Sequence, residues 1–273
     1  MKRDRLTLFQ VVALALLAAC AQPKSTPRAE AEVFDEEPLP ERFENDDMPK
    51  AADELFEDFM YYFASNERLQ RRRIAFPVEQ VVHDDSIRLI DAEQWQMDPF
   101  FMEAGQYTLI LDSQEQRELQ NDSNVNNVVV EKIFLATDSI SQYLFRRVEG
   151  RWMLSQIRSQ TVGDNPNASF LKFYYQFAND SAFQQQSLCS EIAFSGPDPD
   201  DDFAQMDGFI TPDSWGAFAP ELPRDSIYNI VYEGQDSRSR EKSFLICGIS
   251  NGSEAELTFQ QRKGKWKLAR LTE

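Results

Sequence analysis

Imidazole and thiol groups are scarce in this chain. One His and three Cys among 273 residues leave too few nitrogen and sulfur donors for an ordinary zinc site, which takes three or four. Basic charge is also short: 28 Lys and Arg stand against 46 Asp and Glu, a formal net charge of −18. That excess repels phosphate backbones, so no nucleic-acid partner is expected. No apolar run reaches the roughly 20 residues that cross a bilayer; the stretch from Leu6 to Ala19 falls short. Core-forming side chains, by contrast, are plentiful. Apolar residues make up 42% of the chain and Phe alone numbers 21, enough for two folded units at this length.

The N-terminus reads as an address. Lys2, Arg3 and Arg5 precede the apolar stretch, the layout of a secretory signal peptide over 1–19. Its end, Leu17-Ala18-Ala19-Cys20, resembles the lipobox of bacterial lipoproteins. The resemblance implies cleavage before Cys20, lipidation of Cys20, and membrane attachment through that lipid. Ala21 follows, so the Asp that retains some lipoproteins at the inner membrane is missing. Residues 20–50 carry five of the thirteen Pro and many acids, with little to bury, and read as a flexible tether.

The rest of the chain repeats itself. "FRRVEGRWML" at 145–154 and "FQQRKGKWKL" at 259–268 share Phe, Gly, Trp and Leu at one offset of 114 positions. The same offset aligns Phe56 with Phe170, Phe59 with Phe173, and Phe63 with Phe177. It also sets Trp95 on Phe209. Two units are therefore expected in tandem, 51–160 and 165–273. In each, the aromatics recur at three and four, the spacing of one buried helix face. A short second helix is expected after Asn66 and after Asp180, and strands dominate thereafter. Glu149-Gly150 and Lys263-Gly264 read as hairpin turns, with Trp152 and Trp266 facing the helix across the sheet.

Helices first, then a meander of strands ending in a Gly-x-Trp hairpin, resembles the nuclear-transport-factor-2-like fold. More narrowly, the leader and two such units are similar to an uncharacterised family of bacterial envelope lipoproteins. The resemblance implies an α+β fold of two tandem cones, each a curved antiparallel sheet wrapped around N-terminal helices. The mouth of such a cone often holds a ligand, and it is shared with ketosteroid isomerase and scytalone dehydratase. It implies no particular reaction, since one fold hosts many functions.

Residue patterns that could carry chemistry are few. His83 sits between Val82 and Asp84-Asp85, whose side chains alternate faces on a strand, a poor triad geometry. Asp198, Asp200, Asp201 and Asp202 supply hard oxygen ligands, but the Gly and Glu of a calcium loop are missing, so no metal site is assigned. "RLQRRR" at 68–73 reads as a charged helix face, and Tyr61 and Tyr175 as packed helix aromatics. With Cys20 lipidated, Cys189 and Cys247 remain as an even pair: a disulfide, or two separate buried thiols. Asp-Ser followed by a small or aliphatic residue resembles an O-glycosylation triplet at Ser86, Ser139, Ser181 and Ser226. No catalytic residue and no cofactor are assigned.

The aromatics repeat while polar signatures do not. The expectation is therefore a lipid-anchored envelope protein, at the outer membrane on its periplasmic or surface side, acting as a non-catalytic binding or interaction module. Its partner would be a small apolar ligand or another envelope protein. The alternative is a small-molecule isomerase, dehydratase or hydrolase working in one cone. A buried carboxylate beneath a cavity in one unit and absent from the other would favour it.

Overall fold

The computed structural model describes residues 48–82, 86–198, 201–232, 238–249 and 251–273. The leader, Cys20 and the tether through residue 47 lie outside the described residues. So do His83, Asp84, Asp85 and Asp200, and the side chains of Asp201 and Asp202.

Helix α1 (Phe56–Ser65) buries Phe56, Phe59, Met60, Phe63 and Ala64, the stripe its spacing predicts. Helix α4 (Ala168–Asn179) buries Phe170, Leu171, Tyr174, Phe177 and Ala178. Asn66 caps α2 (Glu67–Arg72) by accepting from Leu69 N at 3.0 Å. Asp180 caps α5 (Ser181–Gln186) by accepting from Ala182 N at 2.9 Å and Phe183 N at 3.0 Å. These oxygens serve N–H groups that a first helical turn leaves without partners.

A glutamine then ties each helix pair together. Gln70 Nε2 donates to Phe63 O at 3.0 Å, and Gln70 Oε1 accepts from Trp95 Nε1 at 2.9 Å. Gln184 does the same with Phe177 O at 3.0 Å and Trp215 Nε1 at 3.1 Å. The partner of Trp95 is thus Trp215, 120 positions away, and not Phe209, which is 73% exposed. The slip of six arises in the first hairpin of each half. Strands β1 (Ile74–Val81) and β2 (Ile87–Ile90) are shorter than β7 (Leu188–Asp198) and β8 (Asp201–Ile210).

The remaining strands are β3 (Gln106–Leu111), β4 (Asn127–Phe134), β5 (Ser139–Val148) and β6 (Arg151–Thr161) in the first half. In the second they are β9 (Ser226–Val231), β10 (Glu241–Gly248), β11 (Glu254–Arg262) and β12 (Lys265–Thr272). Helix α3 (Gln114–Glu118) lies between β3 and β4. The expected turns form at both final hairpins. Glu149 and Gly150 have φ of 50° and 76°, and Lys263 and Gly264 have 51° and 77°. Two successive left-handed residues match the right-handed twist of the strands they join.

All twelve strands form one mixed sheet in the order β2-β1-β6-β5-β4-β9-β3-β10-β11-β12-β7-β8. This corrects the expectation of separate antiparallel sheets: β1–β6, β7–β12 and β3–β9 pair in parallel. It also corrects the meander. Strand β3 pairs with β10 of the second half, and β9 pairs with β4 of the first. The third strands of the two halves have changed places. Val129 lies opposite Val231, and Ser243 lies opposite Leu111, so both seams have equivalent registers.

The crossing explains the sequence of β3, "QYTLIL". Leu109 and Leu111 enter the core over α1, whereas Ile110 enters the core over α4. Alternate side chains point to opposite sheet faces, so the strand is covered on both sides and reads as a continuous apolar run. The α1 core likewise takes Ile230, Tyr232, Leu245 and Cys247 from the second half. The α4 core takes Ile110, Ile133 and Ile140 from the first.

Candidate functional site

Glu57 lies in the first turn of α1, on the edge of its apolar stripe, and is half-buried. Three donors converge on its carboxylate. Tyr107 OH reaches Oε2 at 2.7 Å, Tyr232 OH reaches Oε1 at 3.1 Å, and Gln120 Nε2 reaches Oε1 at 3.0 Å. Tyr107 is held by β3 and by the ring of Phe101, 5.3 Å away. Tyr232 follows β9 and meets the Phe56 ring at 6.4 Å. Gln120 comes from a 3₁₀ turn, Leu119–Asn121. The site is therefore composite: the crossing brings Tyr232 from the second half to a helix of the first.

Burial raises the Glu57 carboxyl above its ordinary value; the three donors pull it down but do not cancel the effect, and Asp58 adds to the rise. Burial and the charge of Glu57 push the phenols of Tyr107 and Tyr232 upward, so both stay protonated donors. Cys247 lies opposite Tyr107 across the β3–β10 seam. Its thiol is pushed up to about 12, mainly by burial and then by the Glu57 charge, which leaves little thiolate at neutral pH. The arrangement can hold a proton at Glu57 under conditions where an exposed Glu has lost it, and it has phenols to steady either state.

A cavity of about 330 Å³ opens over this carboxylate, lined by Glu57, Tyr107, Gln120, Asn121, Cys247 and Ser253. Arg117 stands at its side, paired through Nη1 with Glu256 at 2.7 Å and through Nη2 with Glu254. The β3–β4 connection supplies Arg117, Gln120 and Asn121. It spans fifteen residues, 112–126, against the nine of 232–240. The second half also carries Leu171 for Glu57, Ile227 for Tyr107 and, conversely, Cys247 answers Ile133. Only the first half has this acid.

A larger concavity of about 680 Å³ lies on β10, β11, β12 and β7, around Cys189, Glu191, Glu241 and Thr258. It is a broad polar strand surface whose hydrogen bonds run between neighbouring side chains, such as Gln260 Nε2 to Glu241 Oε2 at 3.0 Å. Its Glu241 and Glu256 are engaged by Gln260 and Arg117 at the surface, so size alone does not make it the better site.

Among the described residues that the sequence singled out, Cys247 lies at Glu57 and the others do not. Cys189 and Cys247 are free thiols, with β11 and β12 lying between their strands, so the permitted disulfide does not form. Ser86, Ser139 and Ser181 are exposed, and Ser226 is half-buried opposite Phe134 in β9. Tyr61 and Tyr175 face solvent at 42% and 38% exposure and line no cavity over Glu57. The basic run is partly internal: Arg71 donates to Trp95 O at 3.0 Å, and Arg73 is buried. Among the described residues no cluster of metal-ligating side chains occurs. Glu57 itself could have been found: under the 114 offset it faces Leu171, a charge against an aliphatic residue on a core helix.

A family model described as a domain of unknown function (DUF4348) matches residues 35–273. An NTF2-like protein from Bacteroides fragilis NCTC 9343, solved as a crystal structure, is 36% identical with a TM-score of 0.75. The match covers 81% of this chain and 96% of that one. An NTF-2 like protein of unknown function from Silicibacter pomeroyi DSS-3 is 11% identical, with a TM-score of 0.25 over 38% of this chain and 87% of that one. No curated protein matches. The repeated helix pairs and Gly-x-Trp hairpins agree with the family model and the Bacteroides fragilis structure: the chain belongs to the DUF4348 family and has an NTF2-like α+β fold.

Proposed function

We propose that this is a lipid-anchored envelope protein, built as two tandem NTF2-like units (51–160 and 165–273), that binds a small polar ligand over Glu57. The observation that carries the reading is the one-sided site: an acid with three donors beneath a cavity, with Leu171 in its place in the other half. The polar lining favours a hydroxylated or amine-bearing ligand over an apolar one. Lipid on Cys20 and the tether hold the folded part near an outer-membrane surface, where Ser86, Ser139 and Ser181 stand accessible to glycosylation.

Two expected outcomes test this. Small molecules that co-purify with the wild-type chain and are identified by mass spectrometry are lost from Glu57→Leu, which copies the second half. Identical sets from both proteins would remove the ligand site. On membrane fractionation, Cys20→Ser moves the protein from the envelope pellet to the soluble fraction; an unchanged distribution counts against the anchor.

A second reading has one observation in its favour. The raised Glu57 carboxyl, flanked by two phenols, suits proton transfer to or from a bound carbonyl compound. Turnover of a co-purified ligand by wild type and not by Glu57→Gln would select this reading over simple binding.

A further inference from the structure

We infer that the crossing of β3 and β9 is specified by buried polar pairs placed differently in the two seams: Glu131 with Asn229 where the other seam has Leu245 with Leu109, and Lys242 with Asp112 where the other has Val128 with Tyr232. Glu131 on β4 lies opposite Asn229 on β9, and Leu245 on β10 lies opposite Leu109 on β3. Glu131 is 1% exposed and Asn229 0%, as are Leu109 and Leu245. The carboxylate takes Asn229 Nδ2 at 3.0 Å, Asn165 Nδ2 at 2.7 Å and Gln142 Nε2 at 2.9 Å. Asn229 Oδ1 in turn accepts from Ile110 N at 3.0 Å, which ties the two exchanged strands to each other.

Now consider the uncrossed alternative, with β3 on β4 and β9 on β10 in the same registers. Leu109 falls opposite Glu131, and Asn229 falls opposite Leu245. A buried carboxylate loses a donor in one seam, and a buried amide faces an aliphatic side chain in the other. Both mismatches cost free energy, because a buried polar group without a partner gives up the hydrogen bonds that water supplied and gains none in return. The neighbouring positions follow the same division. Lys132 lies opposite Tyr228, with its ammonium 5.6 Å from that ring, whereas Ile246 lies opposite Thr108. Buried polar contacts that select one pairing among several are a known use of such groups. Its consequence reaches the candidate site. In the uncrossed form Asp112 replaces Tyr232 in front of Glu57, and Tyr107 moves to the place of Ile227.

Cross-strand cysteines read the pairing in the full chain carrying Cys20→Ser, Cys189→Ser and Cys247→Ala. Val129→Cys with Val231→Cys bridges only the crossed form; Val129→Cys with Leu111→Cys bridges only the uncrossed form. With no further change, the first pair is expected to bridge and the second is not. Leu109→Asn and Asp112→Tyr on the first exchanged strand, with Asn229→Leu and Tyr232→Asp on the second, invert the code, and the 129/111 bridge is expected to rise at least tenfold as the 129/231 bridge falls. Glu131→Leu, Asn229→Leu, Lys242→Val and Asp112→Tyr together make the two seams alike at both positions, and both bridges are expected. Persistence of the 129/231 bridge alone in both variants overturns the inference. Should the inverted chain not fold, the equalised one decides by itself: two bridges uphold the inference and one bridge sinks it.

Discussion

Asp53→Ala is expected to lower stability by about 3–5 kcal/mol, read as a shift in the urea midpoint at neutral pH. Asp53 ends a 3₁₀ turn beneath α1 and meets the guanidinium of Arg73 in a fork: Nη1 to Oδ1 at 2.8 Å and Nη2 to Oδ2 at 2.9 Å. Arg73 is 2% exposed, so the alanine variant removes the Asp53 carboxylate that faces this cation in a dry site. Asp53 Oδ1 also accepts from Trp152 N at 3.0 Å, and that donor loses this acceptor. The second half places Asn167 and Ser187 at these positions and has no such pair. Asp53→Asn with Arg73→Ser, which removes both charges, is therefore expected to lose less than Asp53→Ala alone. A loss below about 1 kcal/mol for Asp53→Ala would mean that water reaches the pair.

Trp152→Ala is expected to cost a similar amount, about 3–5 kcal/mol, through lost burial and an unfilled cavity. The ring is fully buried, stands edge-on to Phe56 at 5.0 Å, and carries the Arg147 guanidinium 4.6 Å above it. Its backbone also serves the Asp53–Arg73 site, accepting from Arg73 Nη1 at 3.3 Å. The two losses should consequently be non-additive: the double variant falls short of the sum by more than about 0.5 kcal/mol in chemical denaturation. Strict additivity would show that the indole and the ion pair act independently.

Much of this architecture could be read from residues that act locally. Phe56, Phe59 and Phe63 mark a helix face wherever the chain goes next, and Glu149-Gly150 makes a hairpin turn by its own backbone preference. The crossing could not be read in the same way. "YTLILD" has the same strand pattern whether it pairs with β4 or with β10, because alternation fixes the faces of a strand and not its neighbour. The slip from 114 to 120 and back was hidden for a related reason. A longer β7–β8 hairpin and a shorter 232–240 connection cancel, so Gly150 and Gly264 still align while Trp95 is carried onto Phe209 instead of Trp215. The site sits inside this hidden interval. Tyr107 and Tyr232 belong to shifted segments, so only the contrast between Glu57 and Leu171 was visible.

Glu57 also sets a sign for pH dependence. Its folded carboxyl holds a proton more tightly than the unfolded chain does, and so does that of Glu131, again through burial. Their contribution to stability is complete at pH below the ordinary glutamate value. It is lost as pH rises through the folded values. The most direct test of the central claim is a ¹³C NMR titration of the Glu57 side-chain carboxyl, assigned by its disappearance in Glu57→Gln. The midpoint is predicted to lie above the ordinary 4.5. A midpoint at or below 4.5 would place the carboxylate in open water and contradict a desolvated acid beneath the cavity.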